Sequence, residues 1–189
     1  MVLMLAASLF VGAGCSSRKD SNEAAKETNE QKVDNEATAT NGESKGDAKD
    51  VDEYMVDLAN TGRTEYELSK LAEERATSAA VKQYAGETVK QHGKDEAELK
   101  AEAQKRNITL PTTLSNDSQT MLTKLREEKG ADFDKKYLDE MADVNDKAIS
   151  KGKKLLDNTK DAGLKAYVET IIRDDEEHMS KAKSLKDKL

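Results

Sequence analysis

Residues 133–157 read FDKKYLDEMADVNDKAISKGKKLLD, and their apolar members decide the fold. Phe133, Tyr137, Met141, Ala148 and Leu155 recur at steps of four and seven, which is the period of one face of an α-helix. Lys, Asp and Glu fill the positions between them, so this helix has one dry face and one wet face.

The same period extends in both directions. A first helix is expected over about 51–75, with Val51, Met55, Leu58, Leu68 and Ala72 inward. Thr77-Ser78 can cap a second helix over about 79–106. The stretch Arg106-Asn107-Ile108-Thr109-Leu110-Pro111 ends it, because Pro111 cannot continue a helix and pushes Leu110 towards extended geometry. Ser115 can cap a short helix ending at Gly130, the third long helix runs to about 157, and Asn158–Asp161 turns the chain. The last helix carries Leu164, Val168, Ile171, Ala182 and Leu185. Four long helices joined short, long, short predict an all-α fold: a four-helix bundle with one longer crossover containing a short helix, the connectivity of ferritin-like folds. An extended coiled-coil spacer would need sustained heptads, and Gly62, Glu65, Gly93, Pro111 and Gly152 break them.

Composition agrees. The 189 residues are 37% charged and 4% aromatic, with no Trp and one Pro, as long charged helices require. The net charge of -7 comes without any basic stripe, which argues against nucleic acid as a partner.

Residues 1–14, MVLMLAASLFVGAG, are apolar and small, too short to span a bilayer, and run into Cys15. They have the shape of a signal-peptide core, and Val11-Gly12-Ala13-Gly14-Cys15 resembles a lipobox, with Gly12 where Leu is usual. No Lys or Arg precedes Cys15, which points to a true start upstream of Met1. Cys15 is thus the expected lipidation site, and as the sole cysteine it leaves no disulfide framework. From Ser16 to Asp50 the only branched apolar residue is Val33, so residues 15–50 are expected to form a disordered tether and 51–189 the folded domain. The expected location is a membrane-anchored lipoprotein, exported to the outer membrane and facing the periplasm, since Ser16 and not Asp follows the cysteine.

Each long apolar stripe has one polar interruption: Glu65, His92, Asn145, and Asp174 or Asp175 followed by His178. At about 1.5 Å per residue from the turns, all fall within a turn or two of mid-bundle, where helical bundles build metal sites. Glu65 and His92 are offset by roughly 7 Å on that count. The candidate metal ligands are Glu65, His92, Asp175 and His178. A di-iron carboxylate set is incomplete, because Val89 stands where His92 needs a carboxylate and Asn145 offers only an amide. His92 and His178 also read as partly exposed histidines bonded to neighbouring carboxylates, and the Tyr and Met positions read as packing. A metal site requires the two imidazoles within about 6 Å of each other with a carboxylate between them.

Thr61–Ala72 (TGRTEYELSKLA), Gln91-His92, Asn107-Ile108-Thr109-Leu110-Pro111, Phe133-Asp134-Lys135-Lys136-Tyr137 and Glu177-His178 together resemble the bacterial family called domain of unknown function 4142. The resemblance covers about Val51–Leu189. It implies a ferritin-like bundle that is often exported, commonly under the label of outer membrane protein, with no established activity. The family pattern tends to place Asp-His on the second and third helices; here those positions are Gln91-His92 and Val144-Asn145. Glu65, His92 and His178 are the positions that carry over.

The leading expectation is a non-enzymatic binding or structural module of the cell envelope without a resident cofactor. Its partners would be the membrane, through the lipid, and an envelope protein or a second copy. The alternative is a metal-binding or redox protein that holds a divalent metal in a degenerate ferritin-like site.

Overall fold

The computed structural model describes residues 19–35 and 44–189. The leader, Cys15 and the rest of the lipobox lie outside the described residues. Six helices are present, α1 (Ser21–Asn35), α2 (Lys45–Arg75), α3 (Ala79–Lys105), α4 (Asn116–Glu127), α5 (Gly130–Asn158) and α6 (Ala162–Lys186), and there is no strand among the described residues. None of these helices is long and apolar enough to cross a membrane.

The four long helices form a bundle in the cyclic order α2, α3, α6, α5. Side-chain pairs fix the directions: Asp57 meets Lys151, Glu65 meets Asn145 and Ser69 meets Tyr137, so α2 and α5 are antiparallel. Arg106 meets Asp161 and Tyr84 meets the His178 carbonyl, so α3 and α6 are antiparallel as well. Gly152 lets α5 and α6 approach closely, since a Cβ there would lie 2.9 Å from Ile172 Cγ1. The α3–α6 seam is the loosest of the four neighbouring pairs.

Two apolar clusters fill the bundle. One, near the α2–α3 turn, contains Leu68, Ala72, Tyr84, Phe133, Tyr137 and Leu125. The other, at the far end, contains Val51, Met55, Leu99, Leu164, Val168 and Ile172. Each fully buried large side chain contributes roughly 1.5–3 kcal/mol of transfer free energy. Between the clusters, Glu65, Asn145, Asp175 and His178 are buried, so a polar layer divides the core at mid-length.

Local chemistry explains the helix ends. Ser44 and Asp47 form a capping box on α2, Ser115 accepts from the Ser118 amide, and Asp161 accepts from Gly163 and Leu164. The expected Thr77-Ser78 cap of α3 takes another form: the Ser78 side chain makes no capping bond. Instead Asp134 from α5 accepts from both the Thr77 and Ser78 amides, at 2.9 and 2.7 Å. After α3, Asn107 takes φ 58°, the left-handed conformation that asparagine tolerates. α4 then carries the chain along α2 to the start of α5, where the short helix ends at Glu127, three residues before the expected Gly130.

The expected tether over 15–50 differs from the structure in two places. α2 begins at Lys45, six residues before Val51, and Ser21–Asn35 forms α1, which packs on α2. The buried stripe of α1 is Asn22, Ala25, Asn29 and Val33. It has helical spacing, but two of its four members are polar, so a search for apolar periodicity passes over it. Hydrogen bonds hold it in place. Asn29 exchanges two with the Thr109 backbone at 2.9 and 2.8 Å, and Lys32 donates to the Asn107 carbonyl at 2.7 Å.

Candidate metal centre

α2 supplies Glu65 to the polar layer, α3 supplies His92, α5 supplies Asn145, and α6 supplies Asp175 and His178. Three of the four sequence candidates come together: ligand atoms of Glu65, His92 and His178 all lie within 4.8 Å of one another. His92 Nε2 is 3.2 Å from Glu65 Oε2, and His178 Nδ1 is 3.5 Å from the same oxygen. The imidazole centroids are 5.4 Å apart, with the rings edge to face. Two donors each about 2.0–2.1 Å from a tetrahedral ion stand roughly 3.3–3.4 Å apart, so both contacts have the length of a coordination edge.

The offset of about 7 Å counted along the helix axes closes because side chains lean towards the N-terminus of their own helix. In an antiparallel pair, that moves Glu65 away from the α2–α3 turn and His92 towards it. Asp175 lines the same recess and is 5% exposed, but stands outside the three-residue group.

Two residues missing from the candidate set orient it. Asn145 donates from Nδ2 to Glu65 Oε2 at 3.1 Å and to the Met141 carbonyl at 2.7 Å. Gln91 places its side-chain oxygen 3.0 Å from His178 Nε2. The sequence did mark Asn145, as the polar interruption of α5. Gln91 is visible only as the neighbour of His92.

The electrostatics are unbalanced. Burial opposes charge on Glu65, but the His92 charge and the contacts with His178 outweigh it and hold the carboxyl below its ordinary range. Burial likewise opposes charge on His92, and Glu65 beside it raises the imidazole above its usual value. Asp175 goes the other way, pushed up to about 8 by burial and by the negative charge of Glu65.

The hydrogen-bond inventory is incomplete on one side. His178 turns Nε2 towards Gln91 Oε1 at 3.0 Å and Nδ1 towards the Glu65 carboxylate at 3.5 Å. His178 Nδ1 has no hydrogen-bond partner, and neither do the buried Glu65 Oε1, Asn145 Oδ1 and Asp175 Oδ2. Buried polar atoms without hydrogen-bond partners thus collect in one layer of the bundle.

A recess of about 210 Å³ opens onto this group between α2, α3, α6 and the Leu110-Pro111 turn. The family model of a domain of unknown function, DUF4142, matches residues 35–185. The chain belongs to the DUF4142 family. No curated protein matches the sequence. Among solved structures, the protein described as "CopM in the Cu(II)-bound form" has a similar fold, with a TM-score of 0.59 and 14% identity, covering 72% of this chain and 95% of that one. At that identity the likeness is one of fold. This DUF4142 chain therefore shares an all-helical bundle with CopM, and its site has to be argued from its own residues.

Proposed function

We propose that this domain is a metal-binding module in which Glu65, His92 and His178 hold one divalent transition-metal ion, with Asp175 beside them in the recess. The observation that carries this reading is that ligand atoms of Glu65, His92 and His178 all lie within 4.8 Å of one another, with neither His178 Nδ1 nor Glu65 Oε1 hydrogen-bonded. A carboxylate between two imidazole nitrogens at these separations is a donor set that one cation can take up. Glu65 Oε1 and Asn145 Oδ1 lie in the same layer, buried and unpartnered.

Two imidazoles and a carboxylate suit Zn, Cu, Fe or Ni, and the general affinity order for divalent ions places Cu(II) highest. The similar fold of the Cu(II)-bound CopM makes Cu(II) the first ion to try. The site holds one compact three-ligand group, and we read the module as a binding one. We further place it at the membrane through lipid on Cys15, on the strength of the leader and lipobox residues.

The test is metal content. Protein stripped with chelator and then dialysed against Cu(II) or Zn(II) should take up one ion per chain, and His92→Ala/His178→Ala should lose it. Equal uptake by both forms sinks the proposal. Mass spectrometry of the mature N-terminus tests the anchor: diacylated Cys15 supports it, and an unmodified Cys15 removes it.

A further inference from the structure

The recess above the ion site is walled in part by large apolar side chains. Among the described residues the only exposed large hydrophobic is Leu189. Leu58, Tyr66, Leu110, Tyr167 and Ile171 nevertheless stay half-buried around this one opening. Its volume of about 210 Å³ exceeds the roughly 150 Å³ of an apolar cavity that holds a benzene ring. The space therefore suits one aromatic ring with a small substituent.

Charge narrows the occupant. The two cations on the rim are already engaged: Lys100 pairs with Glu96 at 2.8 Å, while Arg63 reaches Glu96 and the Pro111 carbonyl at 3.4 Å. Asp95 and Asp174 also face the recess, so an anion would have only the ion itself to hold it and carboxylates beside it to repel it. A strongly hydrated polar molecule would have to shed water against apolar walls.

The geometry points to a neutral, single-ring aromatic nitrogen donor of the azole or pyridine type as the ligand of this recess. Its ring lies between Tyr66, Tyr167 and Ile171, and its nitrogen lone pair completes the coordination of the ion. This inference rests on the metal reading. Three protein ligands leave a four-coordinate ion one open position, Asn145 occupies the α5 side and all three ligands line the recess, so the open position faces the recess.

The experiment uses the full chain, with metal uptake measured first. The Cu(II)-loaded protein is titrated with 4-methylpyridine while its visible absorption band and electron paramagnetic resonance spectrum are followed, with acetate as the anionic control. A saturable shift with Kd below about 1 mM, at least about ten-fold tighter than acetate, is the expected result. Ile171→Trp, which fills the recess, should keep the metal and weaken 4-methylpyridine by about ten-fold or more. Leu58→Trp blocks the same space from α2 and serves if the first variant fails to fold. Metal uptake with an unchanged spectrum overturns this inference alone, as does equal 4-methylpyridine affinity in the parent and in a folded, metal-loaded filling variant. Failure of the parent to bind metal overturns the metal reading and this one with it.

Discussion

Asp134 and Asp175 are both carboxylates buried in the same bundle, 1% and 5% exposed, yet their surroundings are opposite. Asp134 sits at the α2–α3 turn and accepts from the Thr77 amide, the Thr77 hydroxyl and the Ser78 amide, the last two at 2.7 Å. Asp175 sits in the mid-bundle layer with Oδ2 buried and unpartnered. A buried carboxylate surrounded by donors fastens structure, because each bond offsets the loss of water. One that lacks donors weakens the fold until a cation arrives, so the second kind marks a place where stability has been given up for binding.

The largest effect expected from breaking this contrast is at Asp134. Asp134→Ala leaves the Thr77 and Ser78 amides without acceptors at a helix start that has no side-chain cap of its own, and should destabilise the domain by about 3–5 kcal/mol. Chemical denaturation measures it. A loss no larger than that of a surface substitution would mean the turn is held by the apolar cluster alone.

Asp175→Asn should have the opposite sign in the metal-free protein. A carboxyl whose pKa rises on folding, here from 3.8 to about 8, favours the folded state below 3.8, and that contribution is lost as pH climbs through about 8. Removing the charge should therefore stabilise the metal-free domain by about 1–3 kcal/mol at pH 8, with the gap to the parent shrinking towards pH 4. Glu65 works in the usual direction: its contribution is present above 4.5 and lost as pH falls through about 2. Thermal melts of parent and variant from pH 4 to 8, with and without metal, separate the two groups. A pH-independent gap would show that Asp175 carries no charge penalty.

How much of this could be read before folding depended on which residues carried the signal. The long helices announce themselves because Val51, Leu68, Phe133, Met141 and Leu164 are large, apolar and periodic. Glu65, His92 and His178 stand out because they interrupt those same stripes at one depth. α1 does not, because its inward face is half asparagine. The separation of Asp175 from the three-residue group, and the grip of Gln91 on His178, depend on rotamers and helix rotation that spacing alone does not encode. The recess was invisible for a related reason. Tyr66 and Tyr167 read as packing residues, and only the folded arrangement of α2, α3 and α6 shows them lining open space.

The smallest effect carries the comparison from carboxylates to amides. Asn29 and Asn145 are both fully buried. Asn29 has donor and acceptor satisfied together by the Thr109 backbone, whereas Asn145 spends its NH₂ on Glu65 and Met141 and leaves Oδ1 bare. If a satisfied amide only fastens, Asn29→Ala should cost about 1–2 kcal/mol and speed hydrogen exchange at Thr109 without changing metal affinity. Asn145→Ala should instead weaken metal binding about 10–100-fold, as loss of a partner that orients a ligand does. The two variants share a substitution and differ in the residue's surroundings, so equal metal affinities in both would erase the distinction between the fastening region and the binding layer. A loss of affinity in Asn29→Ala would show instead that α1, through its hold on the Thr109–Pro111 turn, shapes the mouth of the recess.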